Sequence, residues 1–328
     1  MILSRRLMPL GLAIVLNSSH LPAQNIQVET CELPVVVTDY DNKTVQSLTP
    51  SDFSVRIDDA PTSVTTASID AGPKRVAIIL DGARSVPEEE WKWETHMAAE
   101  LVKHARPNDQ FALFVIGSVD TAATLSSSEL SDRLQHLRAN ANERLYDALL
   151  SAAKRFDPPQ FGDTIVLFGH PADSGSETSL DVLFDVMMKN EFRFYAMSFS
   201  DASLDFSGPD VGHSKLPGLL GLTAETGYYF SFHQTRALNM PGQLALLESY
   251  LSDVYSWISE PYRLLIPASA VKDKSKLEIE ISDAEGKARR FSVRSTHTLY
   301  SCFNQAPNAP NGGRRKTNDH YHETDPLL

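Results

Sequence analysis

Asp81 is the residue of this sequence that is best placed to bind a ligand. It follows residues 76–80, an uninterrupted apolar run that begins after charged residues and ends before Gly82. Such a run, without polar alternation, predicts a strand covered on both faces, as in the parallel sheet of an α/β fold. Open α/β sheets bind ligands outside the carboxyl ends of their strands, so the Asp81 carboxylate is a candidate site residue.

A second polar stretch, residues 173–177, follows another apolar run at residues 164–168. It could join the same rim, although Ser, Gly and Asp are also ordinary loop residues. The sequence contains no Gly-x-Ser-x-Gly, no His-Glu-x-x-His and no phosphate-binding glycine-rich loop. A dinucleotide-binding loop is also not predicted, because residues 81–85 supply one glycine where a pyrophosphate needs several.

The composition is that of an ordinary globular protein. The chain has 328 residues, of which 42% are hydrophobic and 22% charged, enough for one sizeable core and a smaller module. Its formal net charge of -12 argues against nucleic acid or an anionic membrane as a partner, because both carry the same sign of charge.

Residues 1–23 have the pattern of an export signal peptide. Arg5 and Arg6 precede an apolar run at residues 7–16, and Ala23 offers a small residue at a cleavage point. This run is too short to span a bilayer as a helix, and a buried or disordered terminus is the alternative interpretation. We therefore expect a mature chain that begins at Gln24, is periplasmic or secreted, and has no membrane span.

The middle of the chain alternates between strand and helix patterns, which predicts a parallel sheet with helices on both faces. Besides residues 76–80, the predicted strands are residues 111–116, 164–168, 192–199 and 228–232. The predicted helices are residues 87–104, 128–137, 145–155, 180–189, 216–226 and 244–258.

Both ends of the chain carry short strand patterns. They are residues 27–38, 45–48, 53–57 and 64–69 at one end and residues 262–266, 276–282 and 288–294 at the other. Neither set can bury a core alone, so we predict one β-sandwich built from both, with the α/β region inserted.

The predicted division of the chain follows from these patterns. It comprises a signal peptide at residues 1–23, an N-terminal β segment at 24–70, an α/β domain at 71–259 and a C-terminal β segment at 260–303 that pairs with the first segment. Residues 304–328 are polar and rich in Pro, Gly and Asn, which predicts a disordered tail.

Cys31 and Cys302 are the two cysteines of the sequence, and each lies in one of the terminal β segments. In an oxidising compartment such a pair is a candidate disulfide, and two unrelated thiols are the alternative. The predicted sandwich would bring the two cysteines together and therefore favours the bond.

In the order of its motifs the chain resembles a von Willebrand factor type A (VWFA) domain, more narrowly the variety found in exported acidobacterial proteins. The similarity spans roughly residues 33–300 and rests on residues 49–55, 74–85, 106–113, 145–148 and 224–227. The resemblance implies a Rossmann-like fold, a protein-binding role and a metal-ion-dependent adhesion site at the carboxyl ends of the strands.

This sequence matches the adhesion site of the family only in part. The family motif is Asp-x-Ser-x-Ser after the first strand, a Thr before a later helix and an Asp after a later strand, all of them oxygen ligands that suit Mg²⁺. Asp81 and Ser85 match, but Ala83 replaces the first Ser. Glu143 stands at the Thr position, and His170 stands at the position of the last Asp.

These departures leave two interpretations of the site. In the first, metal binding is lost and the edge binds protein without an ion. Arg84 and Arg144 favour it, since each could pair with Asp81 or Glu143 and supply the positive charge. In the second, Asp81, Glu143 and His170 hold a borderline cation such as Zn²⁺ or Mn²⁺, and a Zn²⁺-activated water makes the chain a metal-dependent hydrolase.

We expect the first interpretation: an exported, non-enzymatic, adhesion-type binding protein with a degenerate metal site and an unknown protein ligand. Arg84 and Asp173 are then expected on the partner-binding rim. The expected cofactor is none or one divalent cation. The hydrolase is the alternative, and a purely structural module that joins envelope components is a third possibility.

Overall fold

A computed structural model of the chain describes residues 29–82, 86–116, 124–136, 144–169, 173–198, 210–211, 216–226, 228–231, 242–282, 291–300 and 302. The predicted signal peptide and the predicted tail lie outside these residues. Among the helices that are described, none is long and apolar enough to cross a membrane.

The centre of the molecule is a parallel sheet. Its strands are β5 (Arg75–Leu80), β6 (Gln110–Val115), β7 (Thr164–Phe168), β8 (Arg193–Ser198) and β11 (Tyr228–Ser231). The order across the sheet is β11-β8-β7-β5-β6, and each neighbouring pair runs parallel. β7 is buried along its whole length, as the apolar run predicted.

Helices cover both faces of this sheet. They are α1 (Glu88–Lys103), α2 (Ser127–Leu134), α3 (Leu145–Arg155), α4 (Leu180–Lys189), α5 (Gly218–Thr226) and α6 (Gln243–Ser259). Side chains of α1, α2 and α6 share a core with Ile78 and Leu80. Side chains of α3, α4 and α5 share the opposite core with Ala77 and Ile79. The predicted Rossmann-like α/β architecture is therefore confirmed.

Two antiparallel sheets, built from both ends of the chain, form the β-sandwich. The first has the order β14-β1-β12-β4 and consists of β1 (Thr30–Thr38), β4 (Thr66–Ile69), β12 (Tyr262–Pro267) and β14 (Ser292–Arg294). The second has the order β15-β13-β2-β3 and consists of β2 (Phe53–Ile57), β3 (Ala60–Thr62), β13 (Ser275–Ile281) and β15 (Thr298–Leu299). Apolar side chains from both sheets form one core, as the sandwich prediction requires.

A disulfide joins Cys31 to Cys302, with the two Cα atoms 4.8 Å apart. Cys31 is fully buried in the sandwich core, on the first strand. The bond that the sequence favoured is thus present in the structure, and the alternative of two free thiols is wrong.

The strand predicted at residues 45–48 is wrong, although residues 45–48 alternate in the way a strand does. The Leu48 N–H donates to the Tyr262 hydroxyl at 2.9 Å, and the Val45 N–H donates to the Val37 carbonyl at 2.9 Å. The N–H groups of Val45 and Leu48 are thus bonded to a backbone carbonyl and a side-chain hydroxyl, and the segment does not form a strand.

One further boundary differs from the prediction. Residues 216–226 were predicted as one helix, but Leu216–Pro217 forms a short strand, β10, with Asp210–Val211, β9, and the helix begins at Gly218. Asp58 and Asp59 both adopt positive φ and join β2 to β3 in a tight hairpin.

Candidate functional site

Asp81 lies where the connections of the parallel sheet diverge. β5 and β7 are neighbours, yet the chain leaves β5 toward β6 on one side and leaves β7 toward β8 on the other. Such a switch point opens a crevice at the carboxyl ends of the two strands, which is where doubly wound folds bind ligands. Asp81 follows β5 directly, and Gly169 follows β7.

The two strand ends approach each other closely at this point. The Asp81 N–H donates to the Phe168 carbonyl at 3.1 Å, and the Gly169 N–H donates to the Met197 carbonyl at 3.0 Å. Gly169 has a φ of +142°, and a Cβ atom there would lie 2.3 Å from the Cβ of Asp81. A glycine is therefore needed to let the chain pass directly against Asp81.

Glu94, on α1, forms the wall of the crevice behind Asp81. Its Oε2 accepts a hydrogen bond from the Asp81 N–H at 3.0 Å. Glu94 is 2% exposed and Asp81 is 4% exposed. Burial raises the pKa of Glu94 well above its usual value, and the charge of Asp81 raises it further. The site thus holds two buried carboxyl groups, and the pKa of Glu94 is raised.

Glu94 was not among the predicted site residues, although the sequence contains a signal for it. It lies on the buried stripe of α1 that also contains Trp91, Met97, Ala98 and Leu101. An acidic residue on an otherwise apolar stripe of a helix needs a partner in the interior. For Glu94 this partner is the N–H group of Asp81, directly after the end of β5.

Arg84, Ser85, Glu143 and His170 lie outside the described residues. Of the four predicted metal ligands, Asp81 is the one that falls within them.

Asp173, predicted on the rim, lies at the start of α3. Its Oδ1 accepts hydrogen bonds from the Tyr146 N–H at 3.2 Å and from the Ser176 hydroxyl at 2.5 Å. Arg144, which precedes α3, makes no side-chain cap of its own. Asp173 therefore acts as the helix cap from a neighbouring loop.

Asp147 completes this contact between α3 and the loop of residues 173–178. It accepts hydrogen bonds from the Arg144 guanidinium at 2.7 Å and from the Thr178 N–H at 3.0 Å. Burial opposes its ionisation, but bonds from Thr178, Arg144 and Glu177 hold the pKa of Asp147 at about 2. We call this set of contacts the α3 clasp.

Arg144 is used in the α3 clasp, where it pairs with Asp147 and also with Glu177, whose Oε1 lies 3.0 Å from Nη2. The predicted pairing of Arg144 with Asp81 or Glu143 stays a prediction, because Glu143 lies outside the described residues. The pair of Arg144 with Asp147 is a local contact, because Asp147 follows Arg144 by three residues at the start of a helix.

The described residues do not complete a site for a hard cation at the crevice. Mg²⁺ demands near-octahedral oxygen ligands, and Asp81 is the single predicted ligand placed there. Asp147 and Asp173 are both used in the α3 clasp. Within the described part of the chain, the group of histidine and carboxylate side chains close enough to hold an ion lies elsewhere, at His96, Glu100 and Glu248.

Comparisons with known proteins find likeness in structure only. No family model and no curated protein matches the chain. The chain is similar to a solved von Willebrand factor type A protein from Catenulispora acidiphila, with 11% identity, a TM-score of 0.44, and coverage of 84% of this chain and 75% of that chain.

Two other solved structures are similar to the chain at comparably low sequence identity. The SpRpn10 VWA domain shares 14% identity with a TM-score of 0.37, over 54% of this chain and 94% of that chain. Proximal thread matrix protein 1 from the mussel byssus shares 11% identity with a TM-score of 0.45, over 66% of this chain. The match spans about half of the mussel protein, 51% of its chain. Likenesses this distant concern the fold alone, and the solved structures named for their domain are VWFA domains.

Proposed function

We propose that this chain is an exported, non-enzymatic protein-binding module that presents the carboxyl edge of its parallel sheet to a protein partner. The observation that carries the proposal is the position of Asp81 at the switch point between β5 and β7. All five strands are parallel, so the loops that follow them leave from one edge and can form one contact surface.

The hydrogen bonds of the acids next to this edge favour binding over metal-dependent hydrolysis. A metal-activated water requires a complete set of ligands around one ion. Here Asp147 and Asp173, the acids of the neighbouring α3 clasp, are already used to fix the start of α3. The degenerate adhesion site that we propose thus keeps Asp81 as a structural anchor for the loop that follows it.

The test is direct binding of an identified partner. Proteins captured by the mature chain from the envelope and extracellular fractions of the source are purified, and their affinity for the chain is measured by calorimetry. We expect Asp81→Asn and Arg84→Glu each to weaken the affinity by about tenfold or more, close to 1.4 kcal/mol. Arg84→Glu is included because Asp81 is buried and its replacement could alter the fold.

Asp185→Asn is the matched control, because Asp185 is an exposed acid on α4, away from the crevice. A partner that binds wild type, both edge variants and the control equally would show that another surface is used. Metal-dependent turnover of model ester or phosphate substrates that is lost in His170→Ala would replace the proposal with the hydrolase.

A further inference from the structure

His96, Glu100 and Glu248 form a cluster on the outside of the helical layer, away from the strand edge. His96 and Glu100 lie one turn apart on α1, and Glu248 lies on α6. His96 Nε2 is 3.3 Å from Glu248 Oε1 and 4.0 Å from Glu100 Oε1. One ligand atom from each of the three residues lies within 4.8 Å of the others.

The cluster is built with a buried base and an open rim. The Glu100 side chain is 10% exposed, whereas those of His96 and Glu248 are 38% and 37% exposed. An ion among them would have protein atoms on the inner side and water on the outer side. Two surface hollows meet at His96, one of which is lined by Trp93 and Leu244.

The chemistry of the cluster suits a borderline divalent cation. Imidazole nitrogen is a ligand for Zn²⁺ and similar ions, and carboxylate oxygens complete mixed sites of this kind. Ligands about 2.1 Å from a tetrahedral ion are about 3.4 Å apart. The distance from His96 to Glu248 already has this value, and the distance from His96 to Glu100 exceeds it by a shift that a side chain can make.

The imidazole of His96 is held by its neighbours. The ring of Trp93 packs edge-on against it, with the ring centroids 6.0 Å apart and the planes at 78°. Fixing the ring reduces the rotamer entropy that a ligand must lose on binding an ion.

Lys103 is the natural competitor of a cation at this position. Its ammonium contacts the same Oε1 atom of Glu100 that faces His96. The Lys103 side chain is 63% exposed, so it can leave for solvent when an ion takes its place. Lys103 therefore lowers the affinity of the cluster but does not block it.

From this geometry we propose a Zn²⁺-type cation site at His96, Glu100 and Glu248, which joins α1 to α6 and is separate from the degenerate site at Asp81. The ion would fix the helix that leads into the sandwich, because α6 ends at Ser259 and β12 begins at Tyr262.

The experiment is calorimetric titration of the mature chain with ZnCl₂. His320 and His322 are changed to Ala in every sample, since the tail histidines could bind Zn²⁺ by themselves. We expect one Zn²⁺ per chain, and His96→Ala and Glu248→Gln should each weaken the affinity by about tenfold or more. Lys103→Ala should strengthen it, because the competing ammonium is removed.

His136→Ala is the matched control, since His136 is an exposed histidine at the end of α2, and it should leave the affinity unchanged. His170→Ala should also leave it unchanged, which separates this site from the one at Asp81. No saturable binding below about 100 μM Zn²⁺, or an affinity that is the same in wild type and His96→Ala, would overturn the proposal. In that case the cluster is an ion-pair network only.

Discussion

At the scale of single residues, the close contact between Gly169 and Asp81 leaves no room for a side chain at position 169. Gly169→Ala should lower the free energy of unfolding by about 2 to 5 kcal/mol, because it adds both an unfavourable φ and an overlap with the Asp81 side chain. Urea unfolding followed by circular dichroism measures the loss.

A second glycine separates the two causes of that loss. Gly242 also has a positive φ, of +91°, but a Cβ atom there would meet nothing within 4 Å. Gly242→Ala should therefore cost only the conformational part, about 1 to 2 kcal/mol. Equal losses in the two variants would show that the contact with Asp81 does not matter for stability.

The roles of single site residues could be predicted from the sequence only in part. Asp81 could be placed at the crevice because an apolar strand ends there and parallel strands share an edge. Glu94 could not, since its partner depends on which strand end α1 packs against. Asp173 looked like any polar loop residue, and its role as a cap depends on a helix 27 positions away in the sequence.

At the scale of elements, the contribution of the α3 clasp to the stability of the fold should depend on pH. The pKa of Asp147 is lowered from 3.8 to about 2, so its stabilisation is complete above about pH 4 and is lost as the pH falls toward 2. Its side chain is 22% exposed, and we expect Asp147→Asn to cost about 1 to 2 kcal/mol at neutral pH.

Thermal unfolding between pH 2 and pH 7 measures this effect. The difference between wild type and Asp147→Asn should shrink as the pH falls through the window from about 4 to 2. Asp185→Asn, an exposed acid paired with Lys189 on α4, serves as the control and should shift little. A difference that stays constant across this range would exclude the carboxylate as its source.

Elements that bury a continuous apolar face or run were predictable from the sequence. α3, α4 and β7 have the bounds that their patterns predicted, because each buries one continuous apolar face or run. Short strands were less predictable. Residues 45–48 alternate without joining a sheet, and β3 contains Pro61 at an edge position, where a missing N–H is tolerated.

At the scale of the whole molecule, the disulfide closes almost all of the described chain into one loop. Cys31 and Cys302 are 271 positions apart, and the chain-entropy model assigns about 5 kcal/mol to a loop of this size. The double variant Cys31→Ala and Cys302→Ser should lose about 2 to 5 kcal/mol in the free energy of unfolding.

Urea unfolding of this variant should also show a steeper dependence on denaturant, since an unfolded chain without the crosslink exposes more surface. The wild type without reductant is the reference. An unchanged midpoint and slope would mean that the bond does not restrict the unfolded state.

The bond between Cys31 and Cys302 also determines how the molecule responds to mechanical tension. A pull applied to the chain on the outer sides of these two residues is carried by the covalent bond, so residues 32–301 bear no load. After reduction the same pull acts along β1 and must shear its antiparallel hydrogen bonds to β12, which run from Thr30 opposite Pro267 to Val35 opposite Tyr262. Oxidation state would then decide whether the inserted α/β region can be stretched at all.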